Sequence, residues 1–482
     1  MIFHTLKGAR PCRPAFACRE RKCVLLTLIV GAGLTGCAGV FPNSSYQPAT
    51  PPPFSSLSER NVTPAAGRNE IQGSHPRSLE QWIGYALERN PRITTAIAQY
   101  EAATQKVPQV TALPDPQLRY RHFLEGVETR VGPQQFALGI SQSLPWLGKL
   151  KLQGQMASQA AQAAAARVST IQNDVISEVA MAWFELFYFD RALQIMVGNR
   201  ELVVHLERVA RTRYGTGASG HPDIIRAQVE LGKIENDLAS LADREAPLLA
   251  RLNAALNRPS GAPIVRPEHA PVARVTQLDE VIIQRVITNN PELQALHFDI
   301  AEATTAKERA KKDYFPDFSF GIDYIATDTA RAPNVVGSGD DPVSASFTMT
   351  LPIQRGKYRA GVLAAEAQIA GENARREQQV SSLEAQTVTA LFRLRDAERQ
   401  IDLYETTLLP KANESLIATQ RAYSTGGSSF ADLIDAQRVL LVFELAEVRA
   451  ITDHNLARIT LEKLIGEPLI RGDSAKETFN EQ

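Results

Sequence analysis

Cysteine is nearly absent from this sequence of 482 residues, and the few that occur lie at one end. The four cysteines occupy positions 12, 18, 23 and 37, so no disulfide framework can exist beyond residue 37. The eight histidines lack the HxH and HxxxH spacings typical of metal sites, and the sequence contains no glycine-rich phosphate loop and no nucleophile elbow. These absences predict a protein that is not an enzyme and that holds no metal and no bound cofactor.

Aromatic residues and net charge are also low. Aromatics make up 7% of the chain, and 52 basic residues against 53 acidic ones give a formal net charge of −1. An alanine-rich sequence with few aromatics favours long helices over a compact α/β enzyme. The near-neutral balance gives no indication of a nucleic-acid partner.

The N-terminus has the pattern of a targeting segment. The stretch "VLLTLIVGAG" (24–33) follows a basic flank and has the length of a signal-peptide core, too short to cross a bilayer. The next residues, "LTGC" (34–37), resemble the lipobox of bacterial lipoproteins, which implies removal of residues 1–36 and attachment of lipid, including palmitate, to Cys37. An ordinary signal peptide with a chance cysteine is the alternative. The proline- and serine-rich residues 37–77 are predicted to be a flexible tether.

Beyond the tether the sequence repeats itself, which divides it into residues 78–262 and 263–470, followed by a disordered tail over 471–482. An Asn-Pro pair recurs at 90 and 290, an "LP…GK" segment at 144–149 and 351–357, and a turn with Tyr, Gly and Asp at 214–223 and 423–432. Two alanine-rich helical stretches aligned by composition alone would not reproduce these marks in order.

Each half predicts short helices, two strands and a pair of long helices. Val343, Ala345 and Phe347 alternate with serine and threonine, as in a strand with one apolar and one polar face. Strands of about nine residues are long enough to cross a membrane when tilted. A half-buried sheet in a soluble protein would alternate in the same way.

The long helices are predicted from apolar residues at steps of three and four and from the lack of proline between Pro145 and Pro222. A helix from Lys149 to Tyr214 would be about 100 Å long. A shorter helix is expected over 222–257, with kinks at Pro247 and Pro410.

Four strands cannot close a barrel, and open sheet edges are not tolerated in lipid, so membrane-crossing strands would have to be pooled from several copies. The sequence resembles the outer-membrane efflux proteins of the TolC family. The resemblance covers about residues 78–469 and includes both "LP…GK" segments and both turn segments. The resemblance implies a mainly α fold with a transmembrane β part, in which a homotrimer forms a long α-helical coiled-coil barrel and a shared twelve-strand β-barrel.

The same resemblance implies a function and partners. The protein would be an exit duct in the bacterial outer membrane, lipid-anchored and extending into the periplasm. It would work with a periplasmic adaptor (a membrane fusion protein) and an inner-membrane transporter of the resistance-nodulation-division class, passing metal cations or drugs. A channel for type I protein secretion is the alternative. A purely structural periplasmic coiled coil is disfavoured because it has no use for strand pairs.

The two turns would form the tips of helical hairpins. Glycines permit a tight reversal with positive φ, which we expect among residues 215, 217, 426 and 427. The resemblance implies adaptor docking at the tips, for which the candidates are Tyr214, Gly217, Asp223, Tyr423, Gly426 and Ser428. Ser428 stands where the family often has a basic residue, which puts a charged latch in doubt and leaves closure to contacts such as Tyr423.

Asp432 and Asp435 lie three residues apart, on one face of a predicted helix. By resemblance they match the paired aspartates that line the closed periplasmic mouth, where three copies would stack two acidic rings. Such rings hold cations, and repulsion between like charges would raise some of their pKa values. Two solvated surface acids are the alternative, and Asp432, like Asp223, could simply serve the N-terminus of the following helix.

Overall fold

The computed structural model of the protein describes residues 76–469. These residues form long helices and one four-stranded sheet, which confirms the mainly helical fold with a small β part. The predicted leader over 1–36, the lipidated Cys37, nearly all of the tether and the tail over 471–482 lie outside the described residues. Among the residues described, no helix has both the length and the hydropathy needed to cross a bilayer.

The first half contains five helices and two strands. Their bounds are α1 Leu79–Arg89, α2 Pro91–Thr111, β1 Gln117–Thr129, β2 Gly132–Leu144, α3 Lys149–Gly215, α4 His221–Ala242 and α5 Glu245–Ala255. The helix expected over 222–257 is therefore two helices, which is a correction. The chain breaks at Asp243 and Arg244, and Pro247 lies in the first turn of α5, where a proline is tolerated.

The second half follows the same order. Its elements are α6 Asp279–Asn289, α7 Pro291–Lys311, a 3₁₀ turn Lys312–Tyr314, β3 Phe318–Thr327, β4 Val343–Met349, α8 Arg355–Leu403, a π-helical segment Tyr404–Leu408, α9 Leu409–Thr425 and α10 Phe430–Ile465. Helices α1 and α6 each have 11 residues, and α2 and α7 each have 21.

The two Asn-Pro pairs make the same hydrogen bonds in the two halves. The side-chain oxygen of Asn90 accepts from the Arg92 N–H at 2.9 Å, and that of Asn290 accepts from the Glu292 N–H at 3.0 Å, so each asparagine caps a helix that begins with proline. The amide nitrogens donate to Ala255 O at 2.9 Å and to Leu464 O at 2.8 Å. Each cap therefore also fixes the short helices to the far end of the long-helix pair.

The sheet is antiparallel, in the order β1-β2-β3-β4. Leu118 pairs with Ile140, and Ile140 with Ile322, so these apolar side chains share one face, and all three are more than half exposed. Their neighbours on the other face are mostly polar or small. The strands have 13, 13, 10 and 7 residues rather than about nine each, because the first hairpin extends further than the alternating pattern.

The predicted long helix is observed as α3, which has 67 residues. Its counterpart in the second half is interrupted by the π-helical segment, and Pro410 lies in the first turn of the helix that follows. Lys149 and Lys357 are 208 positions apart, whereas Tyr214 and Tyr423 are 209 apart. The additional residue is accommodated inside a helix, since a π turn holds one more residue than an α turn.

Each half has its own buried core. Trp82, Leu186 and Leu252 anchor a cluster between α1, α3 and α5, and Ile282, Leu394 and Leu461 anchor one between α6, α8 and α10. A third cluster lies at the turns and draws residues from both halves, including Leu206, Ile224, Tyr423 and Leu433. The hairpin ends are therefore held against each other by buried apolar contact.

Candidate functional site at the helical hairpin tips

The two tips, residues 213–223 and 422–432, have the same backbone. Gly217 has a φ of 71° and Gly426 a φ of 83°, whereas neither Gly215 nor Gly427 has a positive φ. Gly217 N–H donates to Tyr214 O at 3.0 Å, and Gly426 N–H donates to Tyr423 O at 3.1 Å. A left-handed residue that closes the last helical turn explains why glycine stands there in both halves.

In each tip a serine hydroxyl donates to a carbonyl group nine residues earlier, in the preceding helix. Ser219 Oγ donates to Ala210 O at 3.4 Å, and Ser428 Oγ donates to Thr419 O at 3.3 Å. Ser428 therefore has a local role within its own hairpin. A serine at this position cannot supply the charged latch that a basic residue would.

Tyr423 joins the second tip to the first. It is buried, packs its ring against Phe430 at 5.5 Å, and donates its hydroxyl to Asp223 Oδ2 at 3.5 Å. Burial raises the pKa of the Tyr423 hydroxyl, so it remains a donor. Tyr214 is exposed by contrast and lies beside the ring of His221 at 5.5 Å.

Arg213 links the two tips directly, and the sequence interpretation missed it. Its guanidinium donates to Tyr423 O and Ser424 O, both at 2.6 Å, and to Ala218 O at 3.2 Å. It also lies over the Tyr423 ring, 4.7 Å from the centroid. A cation at the last carbonyls of a helix is favoured by the helix dipole. The repeat comparison could not reveal Arg213, because the matching residue of the second half is Ala422.

Asp432 forms a capping box with Ser429, the N-cap residue of α10. Its Oδ2 accepts from the Ser429 N–H at 2.9 Å and from Ser429 Oγ at 2.8 Å, and its own N–H donates to Ser429 Oγ at 3.2 Å. These hydrogen bonds to Ser429 lower the pKa of the Asp432 carboxyl. The capping box stabilises the ionised form within a single copy, whereas the rise predicted from like-charge repulsion concerns the rings that three copies would form.

Asp435 is exposed and lies next to a second link between the hairpins. Its Oδ1 is 3.4 Å from Arg438 Nη1. Arg438 in turn makes a two-point ion pair with Glu230 of α4, with Nε–Oε1 at 3.0 Å and Nη2–Oε2 at 2.5 Å. Glu230 is buried, and the hydrogen bond from Arg438 lowers its pKa. The charge of Asp435 is thus partly offset within its own copy.

The two tips are consequently held together, and the carboxylates of Asp432 and Asp435 are exposed on the helix that leaves the second tip. The predicted candidates Asp223, Tyr423 and Gly426 lie in the contact between the hairpins, and Tyr214 lies outside it. Within residues 76–469 no group of three or more His, Cys, Asp or Glu side chains is placed to hold a metal ion. The arrangement can fix two hairpins relative to each other and present negative charge.

Comparison with known sequences gives matches over both halves of the chain. A sequence model described as "Outer membrane efflux protein" matches residues 82–258 and 282–467. Nodulation protein T of Rhizobium leguminosarum bv. trifolii is 24% identical over 438 residues, which cover 87% of this chain and 92% of that protein. Cobalt-zinc-cadmium resistance protein CzcC of Cupriavidus metallidurans is 20% identical over 405 residues, which cover 82% of this chain and 91% of that protein.

Comparison with solved structures gives the same extent. A crystal structure of CusC, in work on its folding and transmembrane channel formation, superimposes with a TM-score of 0.69 at 17% identity. The match covers 81% of this chain and 92% of that one. At this identity the likeness is one of fold.

Proposed function

The chain belongs to the outer membrane efflux protein family, and we propose that it forms the exit duct of a tripartite efflux system in the bacterial outer membrane. The observation that carries the proposal is the attachment of a 67-residue helix, about 100 Å long, to a small sheet whose apolar face is exposed. Such a molecule has one part suited to lipid and one long enough to reach through a periplasm.

The sheet supports a homotrimer. In the described part of the chain β1 and β4 each pair on one side only, and unpaired strand edges are not tolerated in hydrocarbon. Three copies would supply twelve strands for a shared barrel, and their helices would continue it as a hollow coiled-coil barrel. Each half of a copy would then contribute one hairpin to the periplasmic end, so that three copies supply six.

The partners follow from this geometry. The tips would dock a periplasmic adaptor, which connects the duct to an inner-membrane transporter of the resistance-nodulation-division class. Because CzcC is named for resistance to cobalt, zinc and cadmium, we favour small solutes such as metal cations or drugs as the cargo. The duct would conduct them passively, with Asp432 and Asp435 lining its narrow periplasmic mouth.

A lipid on Cys37 would add a second attachment to the membrane. The residue lies outside the described part of the chain, and the proposal rests on its lipobox-like setting. Metabolic labelling with palmitate should mark the wild-type protein and leave Cys37→Ser unlabelled. Labelling of both would remove the lipid anchor from the proposal without affecting the duct.

Gene deletion tests the function. Loss of the gene should lower the concentrations of Co²⁺, Zn²⁺, Cd²⁺ or drugs that the bacterium tolerates, and the plasmid-borne wild-type gene should restore them. If tolerance is unchanged and a secreted protein disappears from the medium instead, the chain is a type I secretion channel. The purified protein should also conduct ions in planar bilayers.

A further inference from the structure

The two tips share one backbone, yet they differ in what covers them. Within one copy the second hairpin buries Tyr423 and Ile434 against the first, leaving them 3% and 5% exposed. The matching residues of the first hairpin, 209 positions earlier, are Tyr214 and Ile225, which are 48% and 46% exposed. The first hairpin therefore carries the same contact face as the second, without anything covering it in a single copy.

A pair of matching glutamines shows the same difference in burial. Gln437 of the second hairpin is buried and donates to Asn199 of the first. Its counterpart, Gln228, is exposed. Three matching positions thus change from covered to open together, which a chance difference in one side chain would not produce.

The residues that the second hairpin contacts on the first also have counterparts in the repeat. In one copy the first hairpin offers Asp223 to the hydroxyl of Tyr423 and Glu230 to the guanidinium of Arg438. The matching residues of the second hairpin are Asp432 and Val439, and both are exposed. Each copy therefore exposes two faces of the kind that meet within the copy. One is on the first hairpin and includes Tyr214 and Ile225; the other is on the second hairpin and includes Asp432 and Val439.

We propose that these two faces meet between neighbouring copies, so that Tyr214 and Val229 of one copy contact Asp432 and Val439 of the next. The occupant is a second copy of this chain, because only the chain itself carries both halves of the contact. The inference rests on the proposed homotrimer and adds to it which residues close the ring of hairpins at its periplasmic end.

The chemistry of the matching positions agrees with this pairing. Arg438 and Glu230 form an ion pair within a copy, and the residues that replace them between copies are Val229 and Val439, 54% and 45% exposed. Both positions change from charged to apolar, so neither change leaves a lone charge facing an apolar side chain. Ile225 extends the apolar strip by one helical turn.

The ring of hairpins therefore alternates between two kinds of seam. The seam within a copy is held by Arg213 and by the Glu230–Arg438 ion pair. The seam between copies is apolar at its centre, with the phenol of Tyr214 beside the carboxylate of Asp432 at its end. This second seam takes the place of the basic latch that Ser428 cannot supply.

Cysteine cross-linking tests the contact, since no cysteine lies between residues 38 and 482. The double variant Val229→Cys/Val439→Cys, oxidised in the membrane, should give covalently linked trimers on denaturing gels. The control Val229→Cys/Val388→Cys uses another exposed valine, which lies about 40 Å farther from the tips along the helices, and should stay unlinked.

The outcomes separate this contact from the trimer itself. Native mass measurement of the same samples reports the oligomer without reference to the tips. A trimer in which the Val229/Val439 pair links no better than the control would overturn the contact and leave the homotrimer standing. A monomer in detergent would overturn both.

A charge transplant gives a second test that does not depend on cross-linking. Val439→Glu and Val229→Arg each place a lone charge in the apolar seam, and each should increase hydrogen exchange of residues 421–440. Together they reproduce the Glu230–Arg438 pair between copies, and exchange should return toward the wild-type rate. Equal effects in the single and double variants would show that the two positions do not meet.

Discussion

Lys149, the first residue of α3, donates to both carboxylate oxygens of Asp317, at 2.8 and 2.9 Å, just ahead of β3. The carboxylate also accepts from the Trp146 N–H at 2.7 Å. Lys149 belongs to the first "LP…GK" segment and Asp317 to the second half, so this pair joins the two halves where the sheet meets the long helices.

The two partners of this pair should not be equivalent in mutagenesis. Asp317→Ala leaves the buried Lys149 ammonium without its main partner and should cost about 3 kcal/mol of folding free energy. Lys149→Met leaves Asp317, whose side chain is 40% exposed and still accepts from Trp146, and should cost about 1 kcal/mol or less. Urea unfolding followed by circular dichroism measures both, and equal losses would contradict the asymmetry.

Arg213→Ala should loosen the tips. The substitution removes three hydrogen bonds to carbonyl groups and the contact with the Tyr423 ring, so hydrogen exchange at residues 423–427 should increase by about tenfold or more. Arg211→Ala is the matched control, because Arg211 is exposed and pairs with Glu207 on its own helix. Equal exchange in the two variants would mean that Arg213 does not hold the tips together.

The acidic mouth can be separated from the helix cap. Replacing Asp432 and Asp435 together with Ala should raise single-channel conductance and weaken block by multivalent cations. Ser429→Ala removes the capping partner of Asp432 and retains both carboxylates, so it should lower stability without changing the block. Unchanged currents in the double variant would remove the two aspartates from the conduction path.

The same cap has a pH dependence of known sign. Because Ser429 lowers the pKa of Asp432 in the folded chain, the stabilising effect is complete above the ordinary value of 3.8 and is lost as the pH falls below it. The effect of Ser429→Ala on stability should therefore become smaller in acid, where only the hydrogen bond from the Asp432 N–H to Ser429 Oγ is left for the substitution to remove. A constant difference from wild type through this range would contradict the assignment.

His454 should make the helical part less stable in mild acid. It is fully buried in α10, where burial lowers its pKa, and the groups that act on it are Glu398, Arg458 and Arg274. The unfolded imidazole takes up a proton first, so stability should fall as the pH drops below about 6.5. His454→Gln should flatten this dependence, whereas the exposed His205→Gln should leave it as in wild type.

Charge on the two faces of the sheet should have unequal effects. Phe347 lies on the exposed apolar face and Ser346 on the opposite one. If the apolar face contacts lipid, Phe347→Arg should cost about 2 to 4 kcal/mol near the bilayer centre and reduce the amount of protein in the outer membrane. Ser346→Arg should assemble normally, and similar losses for both would argue against a lipid-facing role.

The sequence was most informative where one pattern runs unbroken. The bounds of α3 followed from a proline-free stretch with apolar residues at steps of three and four. The break at Asp243 was misplaced, because Pro247 is compatible with the first turn of a helix and does not mark where the preceding helix ends.

The links between the hairpins could not be predicted. Arg213 and Glu230 reach partners about two hundred residues away, and such pairing depends on how the helices pack. Matching the halves also directed attention to positions that are identical, whereas Arg213 and Arg438 stand opposite Ala422 and Val229. The differences between the repeats, more than their identities, distinguish the contact within a copy from the one between copies.

The π-helical segment at Tyr404–Leu408 has a consequence for how the long helices tolerate an inserted residue. One extra residue in a regular helix would rotate every later side chain by about 100° about the axis and carry the apolar stripe off its neighbours. Because the chain takes up that residue in a local bulge, Tyr423 keeps the same angular phase as Tyr214. Long helices of this kind can thus gain a residue in evolution without losing the alignment of the ends they carry.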